Sequence, residues 1–188
     1  MFSSKELVVR GNFPGPLSET IFITFQHATK FPSVNRRGFG EDFFERRSIP
    51  AIHFIPATNN WYQHADVLKA CQLVSMVTRR YKRIITYGSS MGGYAALNFS
   101  GLLGATEAIA ISPQYSVNPA LCPLDTSFLA AHLRIGEYTW DKIRSEVNCG
   151  VKTYLIYDPL HVSDSYHAEL ISEVTNSTHI RLRHAGHP

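Results

Sequence analysis

The segment Gly88-Ser89-Ser90-Met91-Gly92 sets a serine between two glycines in a G-x-S-x-G pattern. A serine hydroxyl is a weak nucleophile on its own. It becomes a useful one when a histidine takes its proton and backbone N–H groups hold the oxyanion that forms. The pattern alone is weak, so its surroundings decide. The apolar run Arg83-Ile84-Ile85-Thr86-Tyr87 precedes it, and the small-residue run Gly93-Tyr94-Ala95-Ala96-Leu97 follows. That context predicts a strand, a sharp turn and a helix, with the Ser90 hydroxyl projecting from the sheet edge. Gly88 and Gly92 flank the turn because side chains there would meet the neighbouring strand and helix. The Met91 N–H, at the helix start, points where an oxyanion would form, and the helix dipole adds to it. Ser89 sits one residue off the apex. The plain alternative is a glycine-rich turn with no chemistry.

Other groups read less sharply. His161-x-x-Asp164-x-x-His167 has a spacing that binds metal on a helix, but Pro159 breaks the segment early and an acid with bystanders is the better reading. Asn59-Asn60-Trp61-Tyr62-Gln63-His64 follows an expected strand. Trp61 and Tyr62 either wall a substrate pocket or pack on the core where a helix begins. Arg79-Arg80-Tyr81-Lys82-Arg83 closes a long helix, where cations complement the dipole. The pairs Arg36-Arg37 and Arg46-Arg47 read first as a solvated face and second as a lure for an anionic substrate. Neither G-x-x-x-x-G-K-[ST] nor G-x-G-x-x-G occurs, so no phosphate loop or dinucleotide site is expected. No cofactor and no metal are expected.

These residues need a scaffold. Strands are predicted at 6–10, 20–25, 51–55, 83–87, 107–112, 152–157 and 179–183. Several are continuous apolar runs, such as Ile21-Phe22-Ile23 and Ala108-Ile109-Ala110-Ile111, which suit strands covered on both faces. Val67, Cys71, Val74, Val77 and Tyr81 step along one face of a helix over 64–81. Further helices are predicted from Gly88 to near Gly104, over 138–147 with Thr139 as N-cap, and over 165–174 with Asp164 at the start. The alternation gives an α/β fold, with a mostly parallel central sheet of about six to seven strands and helices on both faces. The stretches 29–48 and 112–127 read as irregular and fall at the carboxyl edge of the sheet, where open α/β folds bind ligands.

With those residues in view, the chain resembles the α/β-hydrolase superfamily, of the compact bacterial serine-esterase-like kind, from the 21–25 strand to Gly186-His187. The most specific part is Tyr87 to Leu97. The resemblance implies a small cap or none, and an order of serine, acid and histidine along the chain. It implies a catalytic histidine after the last strand, which favours His187 over His184. It implies an acid after the 152–157 strand, which favours Asp164, itself a candidate helix N-cap, over Asp158. A second oxyanion donor is implied after the 20–25 strand, at the N–H of Gln26 or His27, although Gln26-His27-Ala28 departs from the common His-Gly pattern. The helix that usually follows the histidine has no counterpart before Pro188 and reads as missing.

Composition bounds the rest. The 188 residues are 44% hydrophobic and 18% charged, which excludes a disordered chain and predicts one domain over 1–188. A net charge of +3 argues against a dedicated nucleic-acid binder. Cys71, Cys122 and Cys149 are too scattered for a disulfide framework or a cysteine zinc site. Without a signal peptide or an apolar span, the chain reads as a soluble cytoplasmic protein with no membrane partner. The expected function is cleavage of an ester or thioester of a small-molecule or carbohydrate substrate through Ser90, His187 and Asp164. Asn-Trp-Tyr ahead of the Gly-Ser-Ser-Met-Gly-Gly turn also resembles sequences encoded beside bacterial polysaccharide enzymes. That offers a second reading, a carbohydrate O-acyl deacetylase or acyltransferase. A third is a catalytically silent, hydrolase-like interaction module.

Overall fold

In the computed structural model, residues 1–14, 18–144 and 150–188 are described. Eight strands form one sheet: β1 (Phe2–Ser3), β2 (Leu7–Asn12), β3 (Thr20–Phe25), β4 (Ala51–Pro56), β5 (Arg83–Ser89), β6 (Glu107–Ile111), β7 (Lys152–Tyr157) and β8 (Ser177–Arg181). Their spatial order is β1-β2-β4-β3-β5-β6-β7-β8. β1 pairs antiparallel with β2, and β2 with β4; every other pairing is parallel. The sheet is thus one strand larger than the sequence suggests. The addition, β1, is two residues long and carries too short a pattern to read.

The inner strands are buried on both faces, as their apolar runs require. All six residues of β4 are buried, as are Ile21, Ile23 and Phe25 of β3. Strand order reverses around β3: the chain runs from β3 outward to β4, then back across to β5. The carboxyl ends of β3 and β5 therefore flank the switch point, where an open α/β sheet leaves a crevice. Phe25 pairs in register with Gly88 there, so the loops after both strands start at the same level.

Helix α2 (Asp66–Thr78) buries Val67, Ala70, Cys71, Val74 and Thr78. Val77, expected on that face, is exposed, and Thr78 takes the buried place by donating its hydroxyl to the Val74 carbonyl at 3.1 Å. Helix α3 (Met91–Asn98) is buried on every side, which its glycines and alanines permit. Two short helices, α1 (Glu41–Arg46) and α4 (Leu129–Ile135), arise in the edge regions. α5 (Val162–Val174) covers β7 and starts three residues earlier than the 165–174 expectation.

The helix expected over 138–147 is absent at residues 138–144, and 145–147 lie outside the described residues, as does Cys149. The Gln63 side chain explains the loss. Its Oε1 accepts from the Thr139 and Trp140 N–H groups, and its Nε2 donates to the Trp140 carbonyl. Thr139 caps no helix; its N–H is tied to a distant residue.

Burial also sets how the fold responds to acid. His53 is fully buried, with Nδ1 2.6 Å from Thr24 Oγ1 and Nε2 without a partner among the described residues. Burial lowers the pKa of His53 and of His167. The unfolded chain takes up these protons near pH 6.5, before the folded chain does. Stability is therefore expected to fall as pH drops below about 6.5, by at most about 1.4 kcal/mol per pH unit for each such histidine. Urea unfolding midpoints at pH 7 and pH 5 check this, and equal midpoints would contradict it.

Candidate active site

β5 delivers Ser90 into a turn with φ 51° and ψ −119°, a region non-glycine residues rarely occupy. Such a conformation costs on the order of 1–3 kcal/mol and persists only when its surroundings impose it. Here two backbone approaches do so. A Cβ on Gly88 would lie 2.2 Å from the Gly92 carbonyl oxygen, and a Cβ on Gly92 would lie 2.2 Å from that of Phe25. The Ser90 N–H donates to the Ile111 carbonyl at 2.8 Å, fixing the turn to β6. The first turn of α3 leaves the Met91 N–H without an intrahelical partner.

His187 Nε2 lies 3.0 Å from Ser90 Oγ, and His187 Nδ1 lies 2.7 Å from Asp164 Oδ1. With the carboxylate accepting from Nδ1–H, Nε2 keeps its lone pair for the serine proton. Asp164 is buried, and its Oδ2 has no hydrogen-bond partner among the described residues. Asp164 does not cap α5. It lies in the first turn, and the N-cap is His161, whose Nδ1 accepts from the Asp164 N–H at 3.3 Å. The same Nδ1 sits 3.1 Å from Asp164 Oδ1.

The alternates go elsewhere. Asp158 Oδ2 accepts from the Gly186 N–H and Oδ1 from the Leu160 N–H, both at 2.9 Å. These bonds, that to Gly186 foremost, lower the pKa of its carboxyl and anchor the loop carrying His187. His184 is exposed at φ 66° on that loop.

The expected second oxyanion donors divide. The Gln26 N–H donates to the Phe54 carbonyl at 3.2 Å, so the sheet has already claimed it. The His27 N–H donates to its neighbour's Gln26 Oε1 at 3.2 Å, a long bond that an oxyanion could outcompete. Burial, then nearby Arg36, lowers the His27 pKa and favours the neutral ring.

Tyr62 walls no pocket. It is fully buried, and its hydroxyl donates toward the Gln26 carbonyl at 3.0 Å. Trp61 is buried too, with Nε1 donating to Gln114 Oε1 at 3.0 Å. Gln114 Nε2 in turn lies 3.5 Å from Ser90 Oγ. Sequence reasoning missed Gln114; its one signal is its position just past β6 on the sheet edge. Phe128 completes this wall, with its ring centroid 5.7 Å from that of Trp61 and 6.2 Å from that of His187.

The metal spacing in the sequence does not assemble. His167 turns away, its Nε2 2.9 Å from Asp125 Oδ2, while the Tyr115 N–H donates to its Nδ1. Among the described residues, His161, Asp164 and His187 offer ligand atoms within 4.8 Å of one another, but His187 and Asp164 are the pair already turned on Ser90.

Comparison with solved structures follows the same outline. The capsule O-acetyltransferase of Neisseria meningitidis serogroup A superposes with a TM-score of 0.69 at 13% identity, covering 100% of this chain and 86% of that one. Acetyl xylan esterase from Paenibacillus sp. R4 gives 0.62 at 13% identity, with 96% and 74% covered. Esterase 2 of Thermogutta terrifontis gives 0.61 at 11% identity, with 96% and 80% covered.

The chain has the α/β-hydrolase fold.

No protein-family model matches the sequence, and neither does any curated protein. Within this α/β-hydrolase fold, Ser90 follows β5 at the switch point, Asp164 follows β7, and His187 follows β8. No helix among the described residues of the hydrolase fold is long and apolar enough to cross a membrane.

Proposed function

We propose that this protein is a serine hydrolase that transfers an acyl group from an ester or thioester to water. The observation that carries the reading is the chain of contacts from Ser90 Oγ through His187 to Asp164, 3.0 Å and 2.7 Å long. Ser90 Oγ attacks the carbonyl carbon while His187 Nε2 takes its proton. The tetrahedral oxyanion sits against the N–H groups of Met91 and His27. Collapse breaks the bond to the leaving group, which takes the proton from His187 and departs. Water then repeats the sequence on the acyl-serine and frees the acid. Asp164 holds the imidazole in one tautomer and offsets the charge that forms on it. No cofactor enters these steps.

A second reading replaces water with a carbohydrate hydroxyl. It is favoured by the likeness to a capsule O-acetyltransferase, a variant of which was solved with CoA, while the likeness to an acetyl xylan esterase favours the deacetylase form, with water as acceptor and a carbohydrate ester as substrate. Both neighbours are named for acetyl chemistry, so acetyl esters and acetylated sugars are the first substrates to try.

The test is labelling with a fluorophosphonate probe. Wild-type protein is expected to be labelled, and Ser90→Ala and His187→Ala are expected to be blank. A folded wild-type protein that stays unlabelled would sink the catalytic reading and leave the silent interaction module.

A further inference from the structure

A cavity of about 510 Å³ opens between the loop after β3, the loop after β4 and the end of α4. Its lining includes Thr29, Lys30, Asn59, Asn60, Arg134 and Ile135. No carboxylate lines it. Among the described residues, neither Lys30 nor Arg134 has an acidic partner, whereas Arg37 pairs with Asp42 and Arg83 with Glu107. A third cation stands behind them: Arg36 donates to Thr29 Oγ1 at 2.5 Å and is likewise without an acidic partner among the described residues.

The floor of this cavity is set in advance. Asn59 clasps the Thr29 backbone on both sides, its Oδ1 accepting from the Thr29 N–H at 3.1 Å and its Nδ2 donating to the Thr29 carbonyl at 2.6 Å. Asn60 spends its Oδ1 on the Tyr62 N–H and keeps its amide donor for a ligand. Cations and amide donors facing one space, with no anion among them, form a seat for a multiply charged oxyanion. The volume is that of a substrate-sized group rather than of one carboxylate.

A relay of contacts runs from the cavity's edge to the triad. Asn60 is followed by Trp61, which reaches Ser90 through Gln114. Arg134 lies in the last turn of α4, whose N-cap is Phe128, and the Phe128 ring packs on both Trp61 and His187. Trp61 and Phe128, which contact each other, thus link residues next to the cavity with Ser90 and His187.

We propose that this cavity binds a phosphate or pyrophosphate group carried by the acyl donor or the acceptor, and so selects a phosphorylated substrate. Its catalytic meaning rests on the Ser90 reading above; its binding does not. Salt must weaken such binding, because counter-ions screen the same cations.

The test is calorimetric titration of the Ser90→Ala protein with inorganic pyrophosphate, coenzyme A and glucose 1-phosphate at low salt. Pyrophosphate is expected to bind with a dissociation constant near or below about 1 mM and to weaken as salt rises. The double variant Lys30→Ala/Arg134→Ala is expected to lose about tenfold or more in affinity, and Lys30→Glu/Arg134→Glu to lose measurable binding. Tighter binding of coenzyme A than of pyrophosphate assigns the phosphate to the donor; tighter binding of glucose 1-phosphate assigns it to the acceptor. Either supports the proposal. No pyrophosphate binding to protein with native circular dichroism overturns it, and so does binding that both double variants leave unchanged. Fluorophosphonate labelling of wild type without anion binding removes this proposal alone; anion binding without labelling removes the catalytic reading alone.

Discussion

Asp164→Asn is expected to lower ester turnover by about 10³–10⁴-fold with the fold intact. The oxygen at stake is Oδ1, 2.7 Å from His187 Nδ1. A carboxylate only accepts there, so it selects the tautomer with Nδ1 protonated and Nε2 free to take the serine proton. An amide can present its NH₂ instead, which selects the opposite tautomer and turns an Nε2–H toward Ser90. It also carries no charge to offset the imidazolium. Asp158→Asn tests the alternative acid directly. Asp158 touches the backbone of Gly186 rather than the imidazole, so its loss loosens the loop and costs less than the loss of Asp164. Steady-state turnover of p-nitrophenyl acetate by both variants, with circular dichroism as a folding control, ranks them. A deeper loss in Asp158→Asn would reverse the assignment.

Gly92→Ala, like Gly88→Ala, is expected to be severely damaging for the change of a single methyl group. The new Cβ would lie 2.2 Å from the Phe25 carbonyl oxygen and 2.9 Å from its carbonyl carbon. Both neighbours are backbone at the end of the central strand β3, so neither can rotate aside. Alanine gains about 1 kcal/mol over glycine inside a helix, but overpacking against backbone costs about 1–3 kcal/mol or more, so destabilisation wins. The displacement also separates the Met91 and His27 N–H groups, since Gly92 packs on the strand end that leads to His27. Misplacement of about 1 Å costs roughly 100-fold in rate, so turnover should fall further than stability alone explains. Gly93→Ala is the control. Its Cβ would sit 3.2 Å from the Ile111 carbonyl oxygen, a contact that relaxes by a few tenths of an ångström. Urea unfolding and turnover of both variants separate the two effects. Equal behaviour of Gly92→Ala and Gly93→Ala would refute the close-approach argument.

Much of this architecture was legible because it is local. β3 and β7 carry the bounds read from sequence, since each is an apolar run with turn residues at its ends. The glycines at 88 and 92 announce the turn at Ser90 because only a missing Cβ satisfies both approaches. The rest depends on partners far along the chain. Gln63 competes with a helix more than 70 residues away by claiming the Trp140 carbonyl that the helix would use, which no local pattern records. Trp61 and Tyr62 look alike in sequence for a core or a pocket, and only burial tells them apart. Gln26 and His27 were equivalent oxyanion candidates until pairing with β4 removed the first. His161 gave no local sign of meeting Asp164, because α5 starts three residues earlier than the sequence suggests and so makes His161 its N-cap.

His161 Nδ1 faces two atoms of one residue and can serve only one of them. With a lone pair, it accepts the Asp164 N–H and stops the end of α5 from fraying. The Asp164 side chain meanwhile holds His187 through Oδ1. One residue therefore fastens the helix end with its backbone and the imidazole with its carboxylate, so a displacement of the first turn of α5 carries the support of His187 with it.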